Sequence, residues 1–257
     1  DSVQELAKPT VFNGLKAALT DTTMATVSAS SSAAAGTHEI EVQSIAQSQK
    51  IKSEAFASTD TIIGSGTLTI AFGTYNGDGT FTANTEKAAK TITIDPAKST
   101  LADIRDTIND ANAGITASIV NDGSGNRLVI ASKDSGLANA LKITVNDADG
   151  NHTNNAGLSK LAFDASTGGV ANMTETVAAK NAVLVIDGIT IQKSSNTIDD
   201  ALEGVTLNLL KADPGTTSTL TVEKDNSSVE AAMKAFVTTY NNQKKTVTNL
   251  SRYDPAN

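Results

Sequence analysis

Along most of this chain apolar and polar positions alternate, and the period lengthens only near the two ends and once in the middle. Residues 38–42 put Ile40 and Val42 on one face and Glu39 and Glu41 on the other, which predicts a half-buried strand. Residues 67–72, 91–95, 115–120, 127–131 and 141–145 keep the two-residue period or run β-branched, and each predicts a strand. The segments 76–79, 121–126 and 134–136 between them hold the Asn, Asp and Gly that tolerate left-handed backbone in turns. Residues 183–186 and 189–191 are β-branched runs around Asp187-Gly188, a two-residue loop that predicts a hairpin. Two further strands are predicted over 205–210 and 219–222, after a single helical turn capped by Asn196 or Thr197 and ended by Gly204. The Ser, Thr and Ala of residues 20–36 predict an extended linker with weak strand character over 24–28.

Helical spacing occurs in three places. Leu101, Ile104, Ile108 and Ala111 follow Ser99-Thr100, with Gly114 placed to stop that helix. Near the start, Val11, Leu15 and Leu19 recur every four residues behind Pro9 and predict a short amphipathic helix over 6–19. Near the end, Ser227-Ser228-Val229-Glu230 reads as a capping box. After it Met233, Phe236, Tyr240, Val247 and Leu250 fall on heptad a and d positions, with Gln243 the polar exception. That seam is too short to hold a coiled coil alone, so it is expected to continue in a longer protein from which this chain is a fragment.

The expected architecture is α+β and mostly β, and it is nested. Residues 1–24 and 225–257 form a helical leg, 25–60 and 178–224 a discontinuous antiparallel β domain, and 61–177 an inserted β-rich domain with one helix. The leg's packing face, and the candidate interface, is Val11, Leu15, Met233, Phe236, Tyr240, Val247 and Leu250.

Composition narrows the chemistry. A formal charge of −8 opposes nucleic acid and anionic membrane as partners, and no apolar run is long enough to insert in a bilayer. Without Cys there is no disulfide, thiolate nucleophile or sulfur-ligated zinc. His38 and His152 lack ligand neighbours at metal-binding spacing. The run Asp147-Ala148-Asp149-Gly150-Asn151 has the alternate acids of a calcium loop but no closing Glu at the twelfth position, so it reads as a solvated turn. Gly64-Ser65-Gly66 and Gly123-Ser124-Gly125 lack the lysine of a phosphate loop, and Asp199-Asp200 reads as an exposed pair on a helical turn. No catalytic residue, cofactor or metal is assigned, and the chain is expected not to be an enzyme.

Several segments also resemble a known family. They are Thr37-His38-Glu39-Ile40-Glu41-Val42 with Ile45-Ala46-Gln47, residues 115–123 followed by 127–130 and 132–136, and Ser195-Asn196-Thr197-Ile198 with residues 204–209. To these add Phe236-Val237 with Tyr240-Asn241, and Tyr253-Asp254-Pro255. Together they are similar to the bacterial flagellar filament-capping proteins, the hook-associated protein 2 family. The resemblance implies a secreted, homo-oligomeric cap at the distal filament tip that promotes flagellin polymerisation and prevents flagellin leakage. It also implies self and flagellin as partners, with hook–filament junction proteins and an export chaperone beside them. Absence of Cys suits a protein exported unfolded. A bacterial adhesin, with loops such as 147–155 binding a host glycan or protein, is the alternative.

Overall fold

A computed structural model describes residues 14–251. Every strand pairing in it is antiparallel, and the strands build two separate cores. The first core lies between a five-stranded and a three-stranded sheet. The larger sheet runs in the order β1 (Leu15–Leu19), β16 (Thr217–Lys224), β3 (Gly36–Ser44), β12 (Ala182–Ile186) and β13 (Ile189–Lys193). The smaller is β14 (Thr197–Leu202), β15 (Val205–Leu209) and β2 (Ala25–Ala29). Alternation explains the burial: Ile40 and Val42 of β3, Leu220 and Val222 of β16, and Leu184 and Ile186 of β12 all point into this core. The β12–β13 hairpin turns on Asp187 and Gly188, both left-handed at φ 50° and 82°, as the Asp-Gly loop predicts.

The second core lies within the insertion. One sheet there runs β10 (Ala140–Asp147), β5 (Gly66–Tyr75), β6 (Phe81–Ala83), with β7 (Lys90–Ile94) on the other edge of β5. The other runs β11 (Thr174–Val177), β4 (Lys50–Lys52), β9 (Asn126–Ser132), β8 (Ile115–Asn121). Helix α1 (Leu101–Asp110) buries Leu101, Ile104 and Ile108 completely against these strands. Thr100 caps it, its hydroxyl accepting the Asp103 N–H at 3.1 Å. Asn112, at φ 48°, turns the chain out of the helix, and Gly114 two residues on is left-handed as well, at φ 75°. Gly114 is needed for space, since a Cβ there would sit 2.9 Å from the Phe72 ring.

Four expectations are corrected. The helix over 6–19 is not what residues 15–19 form: they are β1, with Leu15, Ala17 and Leu19 packing on the first core. Pairing with β16 from Leu15↔Lys224 to Leu19↔Leu220 satisfies that backbone, and the two-residue period decides over the four-residue one. Residues 6–13 lie outside the described part. The helical turn before Gly204 is instead strand β14, held by pairing to β15 and by Ile198, which is buried. The linker over 20–36 is more ordered than expected: the weak strand character over 24–28 is β2, a full strand paired along β15. The domain limits also move: Met24 is buried in the first core, so residues 15–24 are no part of a leg, whereas Ile51 and Phe56 belong to the second core with the insertion. The pattern predicts none of β4, β6 and β11.

Candidate functional site

Helix α2 (Ser227–Leu250) has 24 residues and, at 1.5 Å per residue, a length of about 36 Å. It follows β16, which lies one strand in from the edge of the larger sheet of the first core. Strand β16 ends at Lys224 beside Leu15 of β1, and the Asp225 N–H donates to the Gly14 carbonyl at 2.8 Å. Lys16 and Glu223 pair across the same strands at 3.0 Å. The expected capping box does not form, because the helix starts one residue earlier, with Asn226 at its N-cap. Asp225 takes over: its Oδ1 accepts the Ser227 N–H at 3.0 Å, and the Ser227 hydrogen bond holds the Asp225 carboxyl below its ordinary range.

The heptad side chains lie together along α2 and stay in water. Met233 is 55% exposed, Tyr240 58%, Val247 59% and Leu250 82%; Phe236 is the least exposed at 38%. The rings of Phe236 and Tyr240 stack with centroids 6.4 Å apart. Val237, 53% exposed, widens the stripe and was missed, because a strict a/d register excludes it while the helix places it beside Met233 and Tyr240. Of the other two predicted interface residues, Leu15 packs on the first core instead, and Val11 lies outside the described residues.

Little within α2 compensates for this exposure. Thr238, Thr239, Thr246 and Thr248 each turn a hydroxyl back to the carbonyl four residues earlier, at 2.9 to 3.0 Å. β-Branched residues bonded that way weaken a helix. One i,i+4 ion pair, Glu230 with Lys234 at 2.7 Å, adds a few tenths of a kcal/mol. Helices of this kind draw their stability from packing of the apolar face.

The polar groups that sequence singled out are absorbed by structure. His38 Nδ1 lies 2.7 Å from Asp187 Oδ2, and Asp187 Oδ1 accepts the Glu39 N–H at 2.8 Å. Those two hydrogen bonds, His38 first, hold the Asp187 carboxyl below its usual range and tie the hairpin tip to β3. Asp147 is buried, not solvated: its two oxygens accept the Asp149 and Ser159 N–H groups, at 3.2 and 2.9 Å, while its own N–H donates to His152 Nδ1 at 3.0 Å. The loop is a self-bonded turn. Asp200, on strand β14 and not on a helical turn, pairs with Lys193 at 2.6 Å. Among the described residues no group of three His, Cys, Asp or Glu could hold a metal, and no helix is long and apolar enough to cross a membrane.

Known proteins resemble the chain throughout. Residues 1–49 match the family described as flagellar hook-associated protein 2 N-terminus, 67–134 the flagellin hook IN motif, and 179–256 the flagellar hook-associated protein 2 C-terminus. A B-type flagellar hook-associated protein 2 of Pseudomonas aeruginosa is 37% identical over 223 residues, covering 83% of this chain. The chain spans 44% of that relative's length. The crystal structure of the D1-D2-D3 domains of the Escherichia coli flagellar cap protein FliD superposes with a TM-score of 0.77 at 34% identity, covering 99% of this chain and 67% of that one. Its D2-D3 structure gives 0.71 at 36% identity, covering 83% of this chain and 100% of that one.

Proposed function

Because the chain belongs to the flagellar hook-associated protein 2 family, we propose that it is the central part of a flagellar filament cap. It works at the distal filament tip, outside the cell, where several copies promote flagellin polymerisation and prevent flagellin loss. The job is mechanical: the two β bodies form the plate and α2 belongs to the leg that reaches down to the filament. No bond is made or broken. Other copies of the chain and flagellin are its partners, with hook–filament junction proteins and an export chaperone on its route. The domains we propose are 14–48 with 178–225, the insertion 49–177, and a leg that includes α2.

The observation that carries this reading is the uncovered stripe from Met233 to Leu250, rooted beside Gly14. The relatives are named for the flagellar hook and cap, which supports this reading and gives none to the adhesin.

Replacing Phe236 and Tyr240 together by Asp in the full-length protein tests it. Filament growth and motility should be lost and flagellin should leak into the medium, while the circular dichroism of the β bodies stays unchanged. Normal motility in that strain overturns the assignment. Light scattering of the full-length protein, beside this chain, reads assembly directly.

A further inference from the structure

Two β bodies joined by two strands of connecting chain ordinarily move against each other. Here the connectors are residues 45–49 and 178–181, and they bridge once: the Gln47 N–H donates to the Lys180 carbonyl at 2.9 Å, and the Lys180 N–H returns to the Gln47 carbonyl at 3.1 Å. A single bridge leaves the insertion free to twist about it. We propose that the loop 133–139, between β9 and β10, is a clamp that fixes the angle between the two bodies and makes them one rigid piece. The inference rests on the β bodies alone and stands apart from the capping role.

The loop reaches both connectors, where they meet β3 and β12, and the end of the neighbouring β13. The Gly136 N–H donates to the carbonyl of Gln47, just past β3, at 3.2 Å. The Leu137 N–H donates to Asn181 Oδ1, just ahead of β12, at 2.9 Å. The Ser135 hydroxyl donates to the carbonyl of Ser194, just past β13, at 2.6 Å. Strands β3, β12 and β13 are adjacent in the sheet, and with roughly 4.8 Å between neighbours the anchors span about 10 Å. That width gives the loop a lever arm against twisting which the Gln47–Lys180 bridge lacks. Gly136 is left-handed at φ 99° and touches Ser194 so closely that a Cβ would lie 2.5 Å from the Ser194 Cβ.

The loop is equally braced on its own side. Asn84 Nδ2 donates to the Ala138 carbonyl at 3.1 Å, Lys87 pairs with Asp134 at 2.6 Å, and Asn139 Nδ2 donates to the Ser135 carbonyl at 2.6 Å. Gln49 stiffens the entering connector. It is 2% exposed, and its Oε1 accepts the Leu141 N–H at 2.6 Å, its Nε2 reaches Glu175 at 2.5 Å, and its carbonyl accepts the Ser132 N–H at 3.0 Å. The connector thus enters the insertion already bonded to β10, β11 and β9.

The absence of Cys makes the test clean. Ala89→Cys in the insertion and Thr216→Cys in the first body, both exposed, take spin labels, and pulsed electron resonance reads the distance distribution between them. The parent should give one narrow distribution. Ser135→Ala with Asn181→Ala, and separately Gly136→Val, should broaden it about twofold, the behaviour of bodies held only by their linkers. Far-ultraviolet circular dichroism should stay that of the parent in the Ser135/Asn181 variant, which decides the matter if Gly136→Val fails to fold. A broad distribution in the parent, or an unchanged width in the folded variant, overturns the proposal.

Discussion

Buried strands and exposed helix use the same aliphatic residues with opposite results. In β16 the apolar side chains alternate, and Leu220 and Val222 are out of water; in α2 they recur every three or four residues, and from Met233 onward every large one is exposed. Periodicity therefore says which face of an element is apolar, and burial depends on whether the chain supplies a second layer. The β bodies supply it internally by facing sheet with sheet, whereas α2 stands on the body by its first turn.

The contrast can be broken at several points. The largest effect is expected from Leu220→Ala, which empties a site with 0% exposure and should cost about 2–5 kcal/mol, read as a lower urea midpoint. A cost below that range would mean the first core can collapse around the gap. Next comes Asn196→Ala. The Asn196 Oδ1 accepts the Ala46 N–H at 2.6 Å and its Nδ2 donates to the Ala46 carbonyl at 3.0 Å, so truncation orphans two backbone groups and should cost about 1–3 kcal/mol. Double-mutant combination with Leu220→Ala should be close to additive.

A pH titration comes third and separates the two β bodies from each other. Asp187 in the first body is held low by His38 and Glu39. Asp164 in the second stays low although burial opposes it, because Lys142 and Ser166 bond it. A depressed carboxyl stabilises above its unfolded value near 3.8 and ceases to as pH falls through the folded one, so thermal midpoints should be flat above about pH 4 and drop below it. Tyr75 runs the other way. Burial pushes its phenol up to about 12, so stability from the insertion should persist below pH 10 and decline between 10 and 12, visible as phenolate absorbance lagging behind a free tyrosine. The smallest effect belongs to Leu250→Ala, at 82% exposure, which should change the unfolding free energy of this chain by no more than about 0.5 kcal/mol in a urea titration. A larger loss would show that the stripe is already covered.

Much of the fold is readable from residue order alone. The Asp187-Gly188 hairpin, the α1 stripe with its Thr100 cap and the alternation of β3 are set locally, and each is found where the pattern puts it. The misreadings arise where distant chain decides. Residues 15–19 fit a helix by spacing, and only the presence of β16, some 200 positions later, makes a strand the better use of that backbone. Asn196 looks like a helix cap because its amide binds backbone, as it does, but the backbone is that of Ala46. Of the candidate surface, Met233, Phe236, Tyr240, Val247 and Leu250 were legible because helix periodicity is local; Leu15 was misplaced for the same reason β1 was.

The hydrogen bond between Gly14 and Asp225 gives this molecule an unusual mechanical character. The polypeptide enters and leaves the described β part at neighbouring points. Tension that spreads the ends apart peels β1 from β16 one rung at a time, like opening a zip from its pull tab. Pulled apart at its ends, the molecule would yield first at a single, identifiable seam.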